Sequence, residues 1–317
     1  MNKCLLYFCL SLLISCCISC QEEEKAESPT MEISTEIDQV LTQKMIPAWY
    51  PRVIDTVDGG YLSNFDYQWK PFGQQTKMIV TQSRHVWTTS KLAETGSQKD
   101  YFTTIAAHGV DYLEHSMWDQ ENGGFYTLVD KKGTPTDFDG KGKILKHAYG
   151  NSFAIYGLSA FAKLTGDASS LDLAKQAFLW LETHSHDSVH KGYFQVMETD
   201  GTPLPEGFND IPPKDQNSSI HLLEAFTELY HVLPDPLVKE RLEEMLVLVR
   251  DEITHTDGYL RLFFSESWEP FVYEDISLEG LAQNSYLDHV SFGHDIETAY
   301  LLMEAAEVLY GEVDSLT

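Results

Sequence analysis

Cysteine is missing from all but the first twenty residues of this chain. The five present are Cys4, Cys9, Cys16, Cys17 and Cys20, and nothing after Gln21 carries a thiol. The body therefore has no disulfide framework, no thiolate metal site and no cysteine nucleophile. Basic residues are scarce as well: 22 Lys and Arg stand against 49 Asp and Glu, a formal net charge of −27. A surface of that sign repels phosphate backbones, which excludes nucleic acid as a partner. No His-Glu-x-x-His occurs, and no metal site is expected. Long apolar runs are also absent. The stretch Leu5–Ile14 is too short to span a bilayer with ordinary flanks. What is abundant is core material: 317 residues, 43% of them hydrophobic, suffice for a large packed interior.

The short apolar run after Lys3 has the form of an export signal. Leu13-Ile14-Ser15-Cys16 resembles a bacterial lipoprotein cleavage box, and Cys20 stands directly before the acidic Gln21-Glu22-Glu23-Glu24. The reading is a lipoprotein signal segment over 1–20, lipid carried by Cys16 or Cys20, a flexible acidic tether over 21–33 and a folded domain over 34–317. The protein is then exported and lipid-anchored in the bacterial cell envelope, periplasmic or at the cell surface, touching membrane only through the anchor. An ordinary cleaved signal is the plainer alternative.

Hydrophobic periodicity predicts eight helices: Ser34–Tyr50, Lys77–Leu92, Tyr101–Trp118, Leu145–Leu164, Ser170–Thr183, Asn217–Leu233, Leu237–His255 and Ser291–Tyr310. Odd-numbered helices are followed by glycine-aromatic turns: Asp58-Gly-Gly-Tyr61, Asn122-Gly-Gly-Phe125, Lys191-Gly-Tyr-Phe194 and Asp257-Gly-Tyr-Leu260. Their marker glycines, 60, 124, 192 and 258, are spaced by 64, 68 and 66 residues. So even a spacing is an internal repeat of helix, turn and helix. Repeated helical pairs close into an all-α toroid of the (α/α)6 type, with short β-hairpins at the rim. The more apolar even-numbered helices form its inner ring. Six pairs at this period need about 400 residues, and four are present, so the toroid is expected to lack its C-terminal repeats.

Polar residues crowd the starts of the inner helices. His294 and Glu297 share one helix face, and Asn217, His221 and Glu224 share another. Two His-x-x-Glu pairs at helix N-termini imply one shared pocket for hydroxylated or anionic groups. His147 heads the fourth helix in the same way. His85, His108, His115, His184, His186, His190, His231 and His255 read as structural. Trp87, Trp118 and Phe125 are core residues or sugar-stacking platforms.

With these motifs assembled, the chain resembles the N-acylglucosamine 2-epimerase family, and within it the cellobiose 2-epimerases. The resemblance rests on Ser83-Arg84-His85-Val86-Trp87, Trp118-Asp119-Gln-Glu-Asn-Gly-Gly-Phe125 and Lys146-His-Ala-Tyr149-Gly. It continues through Asn217-Ser-Ser-Ile-His221-Leu-Leu-Glu-Ala and Phe292-Gly-His294-Asp-Ile-Glu297, covering about residues 36 to 311. It implies an (α/α)6 barrel that interconverts C2 epimers, or aldose and ketose, with no cofactor and no catalytic metal. By the same resemblance Arg84 binds the sugar near C1 and C2 and stabilises an enediolate, with Tyr149 in that pocket. Asn217 and His221 hold substrate and assist ring opening, and His294, supported by Glu297, is an acid/base group. A second acid/base histidine belongs to a last inner helix that this chain is not expected to contain.

The chemistry calls for the same residue types. Proton removal beside an aldehyde needs a base working near neutrality, and imidazole, with a pKa of ~6.5, is one. The developing enediolate needs a fixed cation, and a guanidinium is always charged. The expected activity is a 2-epimerase or isomerase acting on the reducing end of a disaccharide such as cellobiose or mannobiose. The alternatives are a toroid glycoside hydrolase or lyase, which needs two converging carboxylates, and a non-catalytic sugar-binding lipoprotein.

Overall fold

The computed structural model describes residues 29–96, 98–137, 142–273 and 277–311. The signal segment, Cys16, Cys20 and most of the 21–33 tether lie outside the described residues. Two compact units divide at Arg52/Val53. In the first, helix α1 (Pro29–Val40) widens into a π-turn over Leu41–Met45 and ends in the helical turn Ile46–Trp49. The widening sits just ahead of Pro47, which has no N–H with which to continue an α ladder.

The second unit is built of hairpins. Helices α2 (Ile79–Glu94), α4 (Ala148–Thr165), α6 (Gln216–Val232) and α9 (Phe292–Tyr310) pack side by side in chain order as the inner row. Outside them, α3 (Lys99–Tyr112) packs on α2, α5 (Ala168–His184) on α4 and α7 (Pro236–Leu248) on α6. Two outer helices end in π-turns, Leu113–Met117 and Val249–Ile253. A short helix absent from the sequence reading, α8 (Leu278–Asn284), is capped by Ser277. This is the mostly helical architecture expected for an (α/α)6-type toroid, with β-hairpins between the helices. Among the described residues no helix is long and apolar enough to cross a membrane.

The inner row packs tightly because small residues let the backbones approach. A Cβ on Gly157 of α4 would stand 2.7 Å from the carbonyl oxygen of Ser83 in α2. The outer ends are set by local chemistry. Asp167 caps α5 by accepting from Ser170 N, and Asp235 caps α7 with Pro236 at its first position.

The periodicity ran two inner helices too early. Lys77–Met78 (β1) and Leu145–His147 (β3) are strands, paired antiparallel with β2 (Leu128–Val129) and β4 (Val196–Glu198). β5 (Lys214–Asp215) pairs likewise with β6 (Phe263–Phe264). Each inner helix from α2 to α6 thus begins at a two-stranded ribbon tied to the next hairpin. Ribbons of two or three residues are too short for alternation to be read.

A buried ion pair recurs at these junctions. Lys77, Lys146 and Lys214 are each fully buried, and their Nζ atoms reach Asp55 at 2.9 Å, Asp119 at 2.7 Å and Asp187 at 2.8 Å. Each ammonium also donates to turn carbonyls, such as Gly123 and Thr199 for Lys146. The other carboxylate oxygen accepts two turn amides, from Glu121 and Asn122 in the second repeat. The glycines exist for this closure. Gly124 has φ +71°, and a Cβ there would meet the Trp180 ring at 2.6 Å. In the fourth repeat, His255 takes the aspartate's place and Val290 the lysine's. There Asp295 of α9 accepts the Leu260 amide at 3.0 Å.

Candidate active site

The inner helices share a register, and that register builds the site. Arg84, Phe153, His221 and Glu297 each stand five residues beyond the first residue of their helix. The residues two positions earlier turn to the hairpins: Gln82 accepts the Tyr61 amide, Asn151 that of Phe125 and Asp295 that of Leu260. In α2, α4 and α9 one residue of the first turn therefore anchors the framework while a neighbour faces inward.

The inward groups meet across helices. The Arg84 guanidinium lies 4.4 Å from the centroid of the Phe153 ring, and the His221 ring is 4.6 Å from that same ring. Tyr149 meets His221 edge-on at 5.4 Å. Burial pushes the Tyr149 phenol up; Arg84 and a hydrogen bond with Asn217 draw it back, while Glu297 and Asp215 push it further. Tyr149 is therefore in electrostatic reach of Arg84, Asn217 and Glu297 at once. Arg84 itself is exposed and available to a ligand.

His294 sits half-buried on α9. Burial lowers its pKa, with the charge of Glu297 opposing and that of His221 reinforcing the shift. Its Nδ1 is buried without a hydrogen-bond partner among the described residues. The expected support from Glu297 is a field rather than a bond. A neutral imidazole with an unengaged nitrogen is competent as a base. The structure thus brings Arg84, Tyr149, Asn217, His221, His294 and Glu297 together on one inner face.

Three contributors were not singled out from the sequence. Phe153 bridges Arg84 and His221, and only the shared helix register could have revealed it. Asp215 caps α6, accepting the Ser218 amide at 2.8 Å, and burial raises its carboxyl to about 6. Tyr156, one turn below Phe153, stacks on Trp87 at 5.1 Å, so Trp87 belongs to the inner face. Phe125 is fully buried core, with Trp118 edge-on to it at 5.0 Å. Burial lowers His147, the residue before α4, to about 4, which keeps it neutral.

Several histidines set aside from the sequence have structural partners. His108 bonds the Gly60 carbonyl, His115 that of Asp111, and His186 the Glu244 carboxylate at 2.8 Å. One trio among the described residues has ligand atoms close enough for a metal ion, Asp187, His190 and Glu266. Lys214 already engages Asp187 at 2.8 Å, so a second cation there would face an ammonium.

The model of the N-acylglucosamine 2-epimerase family matches residues 60–315. The chain belongs to that family. A cellobiose 2-epimerase of Dictyoglomus turgidum is 31% identical over 278 residues, covering 86% of this chain and 65% of that protein. A cellobiose 2-epimerase of Bacteroides fragilis is 30% identical over 284 residues, covering 87% and 66%. The solved cellobiose 2-epimerase of Spirochaeta thermophila superposes with a TM-score of 0.76 at 31% identity, over 88% of this chain and 65% of that one. The chain thus spans about two thirds of the length of these family members.

Proposed function

We propose that the protein is a sugar 2-epimerase acting at the reducing end of a disaccharide of the cellobiose or mannobiose kind. The observation that carries this is the meeting of a cation, two imidazoles and neutral hydrogen-bonding groups on one inner face of a family member's fold. In this reading His294 removes the proton from C2 of the opened sugar. Arg84, over Phe153, stabilises the enediolate oxygen. Tyr149 and Asn217 orient hydroxyls, and His221 assists ring opening. A proton returned to the opposite face of C2 by solvent water inverts the centre, and His294 releases to solvent the proton it took. Asp295 and Glu297, neighbours on one turn of α9, do not suit glycoside cleavage, because Asp295 is spent on the Leu260 amide.

The test is incubation with cellobiose in deuterated water. The expected product has unchanged chain length, a mannose-configured reducing end and deuterium at C2. Free monosaccharides would favour the hydrolase reading, and a ketose end would favour the isomerase reading. For location, the proposal remains a lipid anchor at Cys16 or Cys20. Incorporation of a fatty-acid analogue, lost on substituting the right cysteine, tests it.

A further inference from the structure

One hydrogen-bonded histidine is more tightly built than a substrate-holding role requires. His221 is only 3% exposed, and its Nδ1 lies 2.8 Å from Oε2 of Glu224, one turn further along α6. A carboxylate can only accept, so Nδ1 is the donor in this bond. The hydrogen bond that the His221 ring makes among the described residues uses Nδ1 and leaves the other ring nitrogen, Nε2, to the site. The ring cannot swing freely, because Tyr149 and Phe153 pack against it at 5.4 and 4.6 Å.

Glu224 is itself held in place. It occupies the position eight residues into α6 that Trp87 and Tyr156 hold in α2 and α4. The Tyr156 hydroxyl lies against it: burial first, then the charges of Glu224 and Glu228, push that phenol far up, which keeps it a neutral donor. One turn lower, Lys91 and Lys163 hold Glu228 at 3.0 and 3.6 Å, so the cations there are taken. Half-buried Glu304 is pushed up by burial and then by Glu228 and Glu224. The acidic column beneath the site therefore leaves Glu224 bonded upward to His221.

We propose that Glu224 is a positioning residue that selects the tautomer of His221, keeping the proton on Nδ1 and presenting Nε2 as a bare acceptor toward the sugar hydroxyls. It touches no substrate and acts through the imidazole. The inference rests on the sugar-epimerase reading for its use, but the tautomer can be read without turnover.

The experiment uses the full chain labelled with 15N-histidine, the His221 ring signals being assigned by their loss in His221→Gln. The wild-type ring at neutral pH is expected to be the Nδ1–H tautomer. In Glu224→Gln the amide can either donate or accept, so the Nε2–H form should appear beside it while the melting curve stays close to wild type. Epimerisation should fall by about 10²-fold in kcat with little change in KM, the scale of a misplaced acid/base group. Glu224→Asp, whose carboxylate is withdrawn by one methylene, serves in the same way if the glutamine variant does not fold. An Nε2–H tautomer in the wild type, or a tautomer unmoved by both substitutions, overturns the inference whatever the activity. A correct tautomer response in a chain that never epimerises overturns the proposed function and leaves the inference standing.

Discussion

Asp215 shows how a single side chain can weigh stability against function. A buried carboxyl raised from 3.8 to about 6 holds a proton in the folded state where the unfolded chain has released it. Its stabilising effect is complete below pH ~4 and is lost as pH rises through about 6. Asn caps a helix as well as Asp but carries no charge. Asp215→Asn should therefore stabilise the protein at pH 7 by on the order of 2 kcal/mol, and by nothing at pH 4; urea midpoints at the two pH values check it. His85 and His147 work in the opposite direction. Burial lowers both to about 4, so the stability they contribute above pH ~6.5 is lost as pH falls toward 4. At the reacting groups, Arg84→Ala should lower kcat/KM by at least about 10²-fold and weaken sugar binding. His294→Ala should abolish deuterium entry at C2 while leaving binding near wild type. Isotope exchange and calorimetry separate the two outcomes. The lowered pKa of His294 places the acid limb of its rate profile below the range of an ordinary imidazole. Most of these residues were legible because they sit in compact motifs. Phe153 was not, since a phenylalanine in an apolar helix looks the same whether it faces the core or a ligand.

The helical hairpin joined by its ion-paired turn is the unit repeated along the chain. The glycine-aromatic turns were visible at once, because left-handed backbone and an aromatic plug leave a local imprint. The Asp–Lys pairs were not, since Asp119 and Lys146 are 27 residues apart and nothing in either neighbourhood signals the other. Burial pushes Asp119 up, but Lys146 and the turn amides outweigh it and bring it down to about 2. Removing one member leaves the other charge buried and strands the carbonyls it served. Lys146→Ala should cost about 3–5 kcal/mol, seen as a lower urea midpoint at an unchanged slope. The fourth turn, with His255 and Val290 in those places, lacks the aspartate–lysine pair and keeps the bond from the Leu260 amide to Asp295. Its Leu260 amide should exchange with solvent faster than Tyr61 or Phe125, a difference that native-state hydrogen exchange resolves.

At the scale of the molecule, the inner row ends in a helix unlike the others. On α9, Leu301, Leu302, Ala305 and Ala306 are buried, but Phe292 is 82%, Ile296 73% and Tyr300 61% exposed. A contiguous apolar strip of that kind is unusual on a folded surface. The isolated chain should bind a hydrophobic dye in its native state, and Phe292→Ser with Ile296→Lys should remove most of that fluorescence without lowering the melting temperature. The repeat length predicted the hairpin architecture well, because a spacing of 64 to 68 residues is a property of the whole chain and survives errors at single helix ends.

The shared helix register has a consequence for how such a protein changes its chemistry. Residues 82, 151 and 295 are committed to holding turns, whereas 84, 153, 221 and 297 carry a guanidinium, a benzyl ring, an imidazole and a carboxylate on equivalent backbone. The scaffold behaves like a keyboard, one inward key per repeat, with Phe153 tying the keys of Arg84 and His221 together. A library confined to those four positions should return folded variants at a far higher rate than one of equal size confined to the anchors. New substrate preferences should arise by exchanging keys rather than by rebuilding loops.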